Sequence, residues 1–198
     1  MLKKWKADGA GARTGLADSS EAQLIGLIAD GDRAAFQALY RIYFPRLARF
    51  LDRMVRSAPL IEEIVNDTML VVWQKAHTYN HTCKVSTWVF AIAYRQGLKA
   101  VNAIDEPVES DFEQQPGDAG HEPERAAEHE QLRQGVRRAL DALPLEQRVV
   151  VSLTYYHDMD YKEIAETMGC PVNTVKTRMF HARQRLRGLL SIQMEELS

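Results

Sequence analysis

A chain of 198 residues with 45% apolar and 26% charged residues has room for one or two domains, each with its own core, in proportions ordinary for a soluble globular protein. No apolar run approaches the roughly 20 residues that a membrane-spanning helix needs, and the basic start Met1–Lys6 leads into small and polar residues rather than a signal-peptide core. These features exclude membrane insertion and predict a cytoplasmic protein. The net charge of -2 conceals a block pattern: residues 1–104 carry +5, residues 105–130 carry -9 and residues 131–198 carry +2. Two basic blocks around an acidic spacer suggest two nucleic-acid-facing modules on a solvated linker.

In chain order, residues 1–20 read as a tail, and the first helical segment is expected behind the polar stretch Asp18-Ser19-Ser20-Glu21. Leu24, Ile25, Leu27 and Ile28 form its apolar stripe, which Gly31-Asp32 breaks. Phe36, Leu39, Tyr40, Tyr43 and Phe44 follow at helical spacing, and Leu47, Phe50, Leu51, Met54 and Val55 continue the period past Pro45. From Pro59, residues Ile61, Ile64, Val65, Thr68, Met69, Val72 and Trp73 keep one face apolar and leave Glu62, Glu63, Asn66, Asp67 and Gln74 on the other. The period lapses over His77–Lys84, a loop, and resumes with Trp88, Val89, Ile92, Ala93 and Leu98.

Residues 105–124 hold three prolines and almost no aliphatic side chain, too little apolar surface to offset the entropy of ordering. They read as a linker. Helical patterning returns from Ala126 through Leu132, Val136, Leu140 and Leu143, and again after Pro144. No stretch alternates as a half-buried strand does, so the fold class is all-α: two small helical domains, 21–104 and 127–193, joined by an acidic flexible linker, 105–126.

The most informative stretch is Asp160–Leu190. Tyr161–Met168 is a short helix with Ile164, Ala165 and Met168 inward. Gly169 suits the left-handed residue that closes a helix, and Pro171 suits the start of the next. That second helix, from about Val172 to Leu190, packs through Val175, Met179, Ala182, Leu186 and Leu189. It carries five Lys/Arg and no acid. A short helix, a glycine turn and a longer basic helix is the layout of a DNA-reading helix-turn-helix. Asn173, Thr174, Lys176 and Thr177 stand at its N-terminus, where short polar side chains reach base edges and free N–H groups bind phosphate. His181 shares these outward faces, and Arg178, Arg183 and Arg185 are candidates for phosphate or guanine contacts.

Residues 143–190, with the run EQRVVVSLTYYHDMDYKEIAETMGCPVNTVKTRMFHARQRL, closely resemble the C-terminal domain of RNA polymerase sigma factors of the extracytoplasmic-function (ECF) group. IEEIVNDTMLVVWQKAHTYN at 61–80 and STWVFAIAYRQGLKA at 86–100 resemble their promoter-melting domain. The resemblance covers residues 21–192. It implies a transcription initiation factor that binds core RNA polymerase, directs it to promoters with -35 and -10 elements and helps to open the -10 element. Helix 61–75, through Glu62, Glu63, Asn66, Asp67 and Gln74, is implied to dock on the β′ clamp helices, with Ile64, Val65, Met69 and Trp73 in the core. The loop 77–86 is implied to hold a base flipped from the -10 element, with Tyr79 and Asn80 as pocket candidates and helix 87–99 beside the opening strand. Lys84, Arg95 and Lys99 would serve phosphates. Trp88 is a stacking candidate at what is also a core position.

The C-terminal domain would read the -35 element in the major groove, with Leu145–Tyr156 on the β flap. The acidic segment would imitate nucleic acid in the RNA path or act as a plain tether. An anti-sigma factor is implied as a further partner. The chain departs from its likeness at Lys99–Ile104, where relatives carry an arginine-rich run. It departs also at His181 and Asn173, where arginine and glycine are usual. Those changes bear on promoter sequence rather than on role.

Other classes fit less well. A stand-alone helix-turn-helix regulator would share residues 160–190 but lacks the docking helix. Catalysis is not expected: Glu62 and Glu63 point about 100° apart on a helix and cannot act as an opposed acid–base pair, and no phosphate loop or nucleophile motif occurs. Cys83 and Cys170 make no disulfide framework, and His77, His81 and Cys83 lack the fourth ligand of a zinc site. Neither cofactor nor metal is expected.

Overall fold

The structure, a computed structural model, describes residues 10–104 and 134–196, with side chains described over 20–103 and 134–191. The expected linker 105–126 and residues 1–9 lie outside the described residues. The chain divides into two compact units, the first running to Leu98 and the second holding most of the chain beyond it. All regular elements among the described residues are helices.

In the first unit, α1 (Ala10–Ala29) begins earlier than the expected start behind Ser20. The stretch Ala10–Ala17 is free of proline and, despite Gly11 and Gly15, holds enough alanine, arginine and leucine to continue the helix, so Asp18-Ser19-Ser20 is carried inside it rather than capping it. Gly31, at φ +88°, ends it. The Gly31 N–H donates to Ile28 O and the Asp32 N–H to Leu27 O, the paired bonds that close a helix through a left-handed glycine. Asp32 then caps α2 (Arg33–Asp52), its Oδ1 accepting from the N–H groups of Ala34 and Ala35 at 2.7 and 3.1 Å. One aspartate thus ends one helix and starts the next. Pro45 lies inside α2 on its exposed side. The carbonyl of Arg41, which loses its helical donor there, stands at the exposed side too.

Helix α3 (Ala58–Lys75) has Pro59 in its first turn, and a short 3-10 turn, Ala76–Thr78, follows it. Helix α4 (Val85–Ile104) starts two residues before the expected 87 and extends beyond 99. Leu39, Leu47 and Leu51 of α2, Ile64, Val65 and Met69 of α3, and Val85, Val89 and Phe90 of α4 are buried in one core. Phe50 and Phe90 meet at 5.2 Å between ring centroids. Gly97 allows close approach of α4 to α2: a Cβ there would lie 3.0 Å from Met54 Cε and 3.1 Å from Leu51 Cδ2.

In the second unit, the helical residues 134–141 form α5, followed by α6 (Leu145–Tyr156), α7 (Tyr161–Met168) and α8 (Val172–Glu196). Asp160 and Glu163 form a reciprocal capping box at the start of α7. Asp160 Oδ1 accepts from the N–H groups of Lys162 and Glu163 at 2.7 and 2.9 Å, and Glu163 Oε2 accepts from the Asp160 N–H at 2.8 Å. At its other end Gly169, φ +64°, repeats the α1 closure, with the Cys170 N–H donating to Ala165 O. Helix α8 runs past the expected end near Leu190. Its inner side buries Val175, Met179 and Ala182, with Leu186 and Leu189 half-buried, against α6, where Val149, Val150 and Leu153 are buried.

Candidate functional site

Three surfaces carry the residues singled out from the sequence. On α3, the buried series Ile61, Ile64, Val65, Thr68, Met69 and Val72 turns the opposite side outward. Glu62, Glu63, Asn66, Asp67 and Gln74 are all exposed there. Trp73 is half-buried and meets Phe36 edge-on at 5.2 Å. The phenol of Tyr40 donates to Asn66 Oδ1 at 2.8 Å, so Asn66 is oriented from within its own unit. The periodicity had no reason to mark Leu70, yet it is 51% exposed in the middle of this acidic face. The result is an apolar spot flanked by Asn66, Asp67 and Gln74, with Glu62 and Glu63 two turns earlier on the same helix, suited to a basic partner helix that buries one apolar side chain.

The second surface is the loop between the 3-10 turn and α4. Asn80 Oδ1 accepts from both the N–H and the hydroxyl of Thr82, at 3.2 and 2.7 Å, a side-chain turn that fixes the backbone. His81 takes φ +59°, a left-handed conformation that non-glycine residues rarely adopt. The Tyr79 hydroxyl donates to Cys83 O at 2.6 Å. Its ring lies 5.5 Å from that of Trp88 and 4.7 Å from that of His81. Tyr79 and Trp88 are half-buried and Asn80 is exposed. The structure therefore gathers Tyr79, Asn80 and Trp88 at one place. Lys84, Arg95 and Lys99 are exposed, and the helical period aligns Arg95 and Lys99 with Trp88 along α4.

The third surface is α8. Asn173, Lys176, Thr177, His181, Arg183 and Arg185 are exposed, and Thr174 is half-buried. Phe180, unmarked by its sequence context, is 63% exposed beside His181, its ring 5.5 Å away. With Asn173, Thr177 and Gln184 it stands on the ridge farthest from the buried side. The arginines sit differently. Arg178 Nη2 lies 2.6 Å from Glu146 Oε1, and Arg185 Nη1 lies 3.5 Å from Gln147 Oε1. Arg183 Nη2 donates to the Tyr155 hydroxyl at 3.0 Å, a bond that raises the pKa of this guanidinium. Three guanidinium groups thus flank α8 and reach down to α6, while the outermost ridge is polar, neutral and aromatic.

Comparison with known proteins agrees with this layout. Residues 39–103 match the family described as Sigma-70 region 2, and residues 133–186 match Sigma-70, region 4. The chain is 32% identical to the ECF RNA polymerase sigma factor RpoE of Cereibacter sphaeroides, over 81% of this chain and 88% of that protein. It is 29% identical to the ECF RNA polymerase sigma-E factor of Escherichia coli, over 82% of this chain and 90% of that protein. Among solved structures, CnrH in complex with the cytosolic domain of CnrY shares the fold at TM-score 0.65 and 22% identity, covering 87% of this chain and 98% of that one. The sigma factor RpoE of Bartonella quintana, solved with the anti-sigma factor NepR, does so at 0.59 and 24%, covering 79% and 97%.

Proposed function

This chain belongs to the ECF group of RNA polymerase sigma factors, and on that premise we propose how its surfaces divide the work of transcription initiation. As a sigma factor it serves RNA polymerase at promoters. In our reading residues 21–104 act as the polymerase-docking and -10 domain, residues 127–193 as the -35 domain, and 105–126 as the tether.

The exposed face of α3, with Glu62, Glu63, Asn66, Asp67 and Gln74 around Leu70, docks on the β′ clamp helices. The loop 79–84 receives a base extruded from the -10 element. Extrusion costs a few kcal/mol of stacking, which the Tyr79–Trp88 pair and the amide of Asn80 offset. Lys84, Arg95 and Lys99 hold the phosphates of the opening strand. Helix α8 enters the major groove at the -35 element, presenting Asn173, Thr174, Lys176, Thr177 and His181 with Phe180 among them, while Arg183 and Arg185 meet phosphates on either side. Residues Leu145–Tyr156 rest on the β flap. An anti-sigma factor, the partner seen with the Bartonella quintana protein, is proposed for this chain as well. The protein supplies binding and strand opening, works in the cytoplasm, and leaves the chemistry to polymerase.

One observation carries this reading: a polar ridge on the first turns of α8 stands outward behind a turn closed at Gly169, with α6 braced beneath it. Runoff transcription with core polymerase on a pool of genomic fragments tests it. Defined transcripts sharing two upstream elements are expected only when this chain is added. Failure to associate with core enzyme, even from preparations freed of any bound inhibitor, overturns it.

A further inference from the structure

We propose that Arg178 is a positioning residue: it fixes the pose of α8 through Glu146 and the turn at Cys170, and does not itself contact DNA. This rests on α8 being the -35 helix, as proposed above. By sequence, Arg178 and Lys176 are equivalent basic residues near the start of that helix. By geometry they part. Two residues at about 100° each put them on well-separated sides of α8. Lys176 is exposed, whereas the Arg178 side chain keeps only 20% of its surface.

A bidentate guanine contact takes two N–H groups of the guanidinium presented together as a fork, most openly those of its two terminal nitrogens. In Arg178 that fork is occupied. Nη2 stands 2.6 Å from Glu146 Oε1, and Nη1 donates to Cys170 Sγ at 3.5 Å. Glu146 lies in the first turn of α6 and Cys170 in the turn just ahead of α8. One side chain therefore ties the reading helix to the element beneath it and to the turn that launches it. Arg185 repeats the device against the next residue of α6, Gln147, and Arg183 secures the far end of α6 at Tyr155. With α6 held at both ends, the tilt of α8 is set, and so is the depth to which Thr177, Phe180 and His181 enter the groove.

The experiment uses holoenzyme, with affinity measured across a salt series on promoter duplexes carrying an intact or a scrambled -35 element. Variants Glu146→Gln, Arg178→Gln and the double variant are compared with the unaltered chain. Positioning predicts that each single variant lowers the preference for the intact element about fivefold, the reach of one partly exposed ion pair. It also predicts that the double variant loses no more, and that the salt slope stays as it was. A direct phosphate contact would instead flatten the slope by about one in Arg178→Gln, and that result overturns the proposal. So does an unchanged preference in Glu146→Gln. Glu146 is 55% exposed, so its variant decides alone if Arg178→Gln does not fold. Should the unaltered holoenzyme show no preference for the intact element, the assignment of α8 fails rather than that of Arg178.

Discussion

Tyr43, wholly buried in α2, donates its phenolic proton to Oε2 of Glu21 in α1, and the other oxygen of that carboxylate meets Arg46 Nη1 at 3.3 Å. The Arg46 guanidinium also lies over the Tyr43 ring at 4.8 Å and 5.7 Å from the centre of Phe90. A polar triad thus joins α1, α2 and α4. Burial, with the adjacent Glu21 charge, lifts the Tyr43 pKa well above its ordinary value.

The sign of the consequence comes from linkage. The folded state keeps the Tyr43 proton to a higher pH than the unfolded chain does. Its contribution is therefore complete below pH of about 10, and above it falls by about 1.4 kcal/mol per pH unit until the folded form also ionises. Melting of the first unit followed from neutral to alkaline pH is expected to show this decline. Tyr43→Phe is expected to be less stable at neutral pH, having taken from Glu21 one of its two partners, but to have a shallower alkaline slope. Equal slopes in the two proteins would refute the assignment.

At the helix-turn-helix, two local devices set where α7 begins and ends. Asp160→Ala removes the acceptor for two N–H groups and is expected to cost about 1 kcal/mol. Gly169→Ala, forced to φ +64°, is expected to cost about 1–2 kcal/mol from left-handed strain. Both are read by thermal unfolding, and both should reduce use of the -35 element more than use of a promoter lacking it. Asp160→Asn, which keeps the acceptor oxygen, should restore most of the loss.

Of those two devices the Gly169 stop was legible in the sequence, whereas the Asp160–Glu163 capping box emerged only in the structure, although its spacing is a sequence signal. Gly169 announces its role because few other residues tolerate its backbone angle, and the period from Ile61 to Trp73 marks the buried side of α3 by spacing, with Thr68 inside it and Leu70 off it. Helix ends were less legible: at Ala10 and beyond Leu190 nothing in the residues forbids helix, so the ends depend on context rather than on a breaker. Phe180 and Leu70 lie off the apolar stripes and the period leaves them unassigned, since exposure is set by where neighbouring helices pass. The distinction between Lys176 and Arg178 escaped for the same reason. Composition counts both as basic, and only the position of Glu146, 32 residues earlier, separates them.

The loop before α4 yields a prediction about rate. Tyr79→Phe deletes the bond to Cys83 O, and Asn80→Ala deletes both bonds from Thr82. Each hydrogen bond is worth about 1 kcal/mol, so open-complex formation, followed by permanganate reactivity of unpaired thymines, should slow about fivefold in Tyr79→Phe and up to about thirtyfold in Asn80→Ala. On a template already unpaired at the -10 element the Tyr79→Phe defect should shrink, because loop order then serves only to hold the strand. A defect of equal size on both templates would place Tyr79 outside the opening step.

On α3 the acidic and apolar parts of the proposed docking face separate by their response to salt. Asp67 and Glu63 are exposed charges whose attraction to a basic partner is screened once the Debye length falls below their separation from it. Leu70, at 51% exposure, contributes by losing contact with water, an effect that salt does not weaken and that kosmotropic salts strengthen. Asp67→Ala is therefore expected to lower affinity for core polymerase several-fold in dilute buffer and hardly at all in concentrated salt. Leu70→Ala gives up a large part of the roughly 1.5–3 kcal/mol available from burying a leucine, about tenfold in affinity, at either salt concentration. Both residues lie outside the buried core, so neither substitution should lower the melting temperature of the free chain. Binding of fluorescently labelled chain to core enzyme at two salt concentrations separates the two terms. If Leu70→Ala proves neutral while Asp67→Ala is costly in concentrated salt, the partner meets this helix through buried ion pairs rather than through its apolar spot.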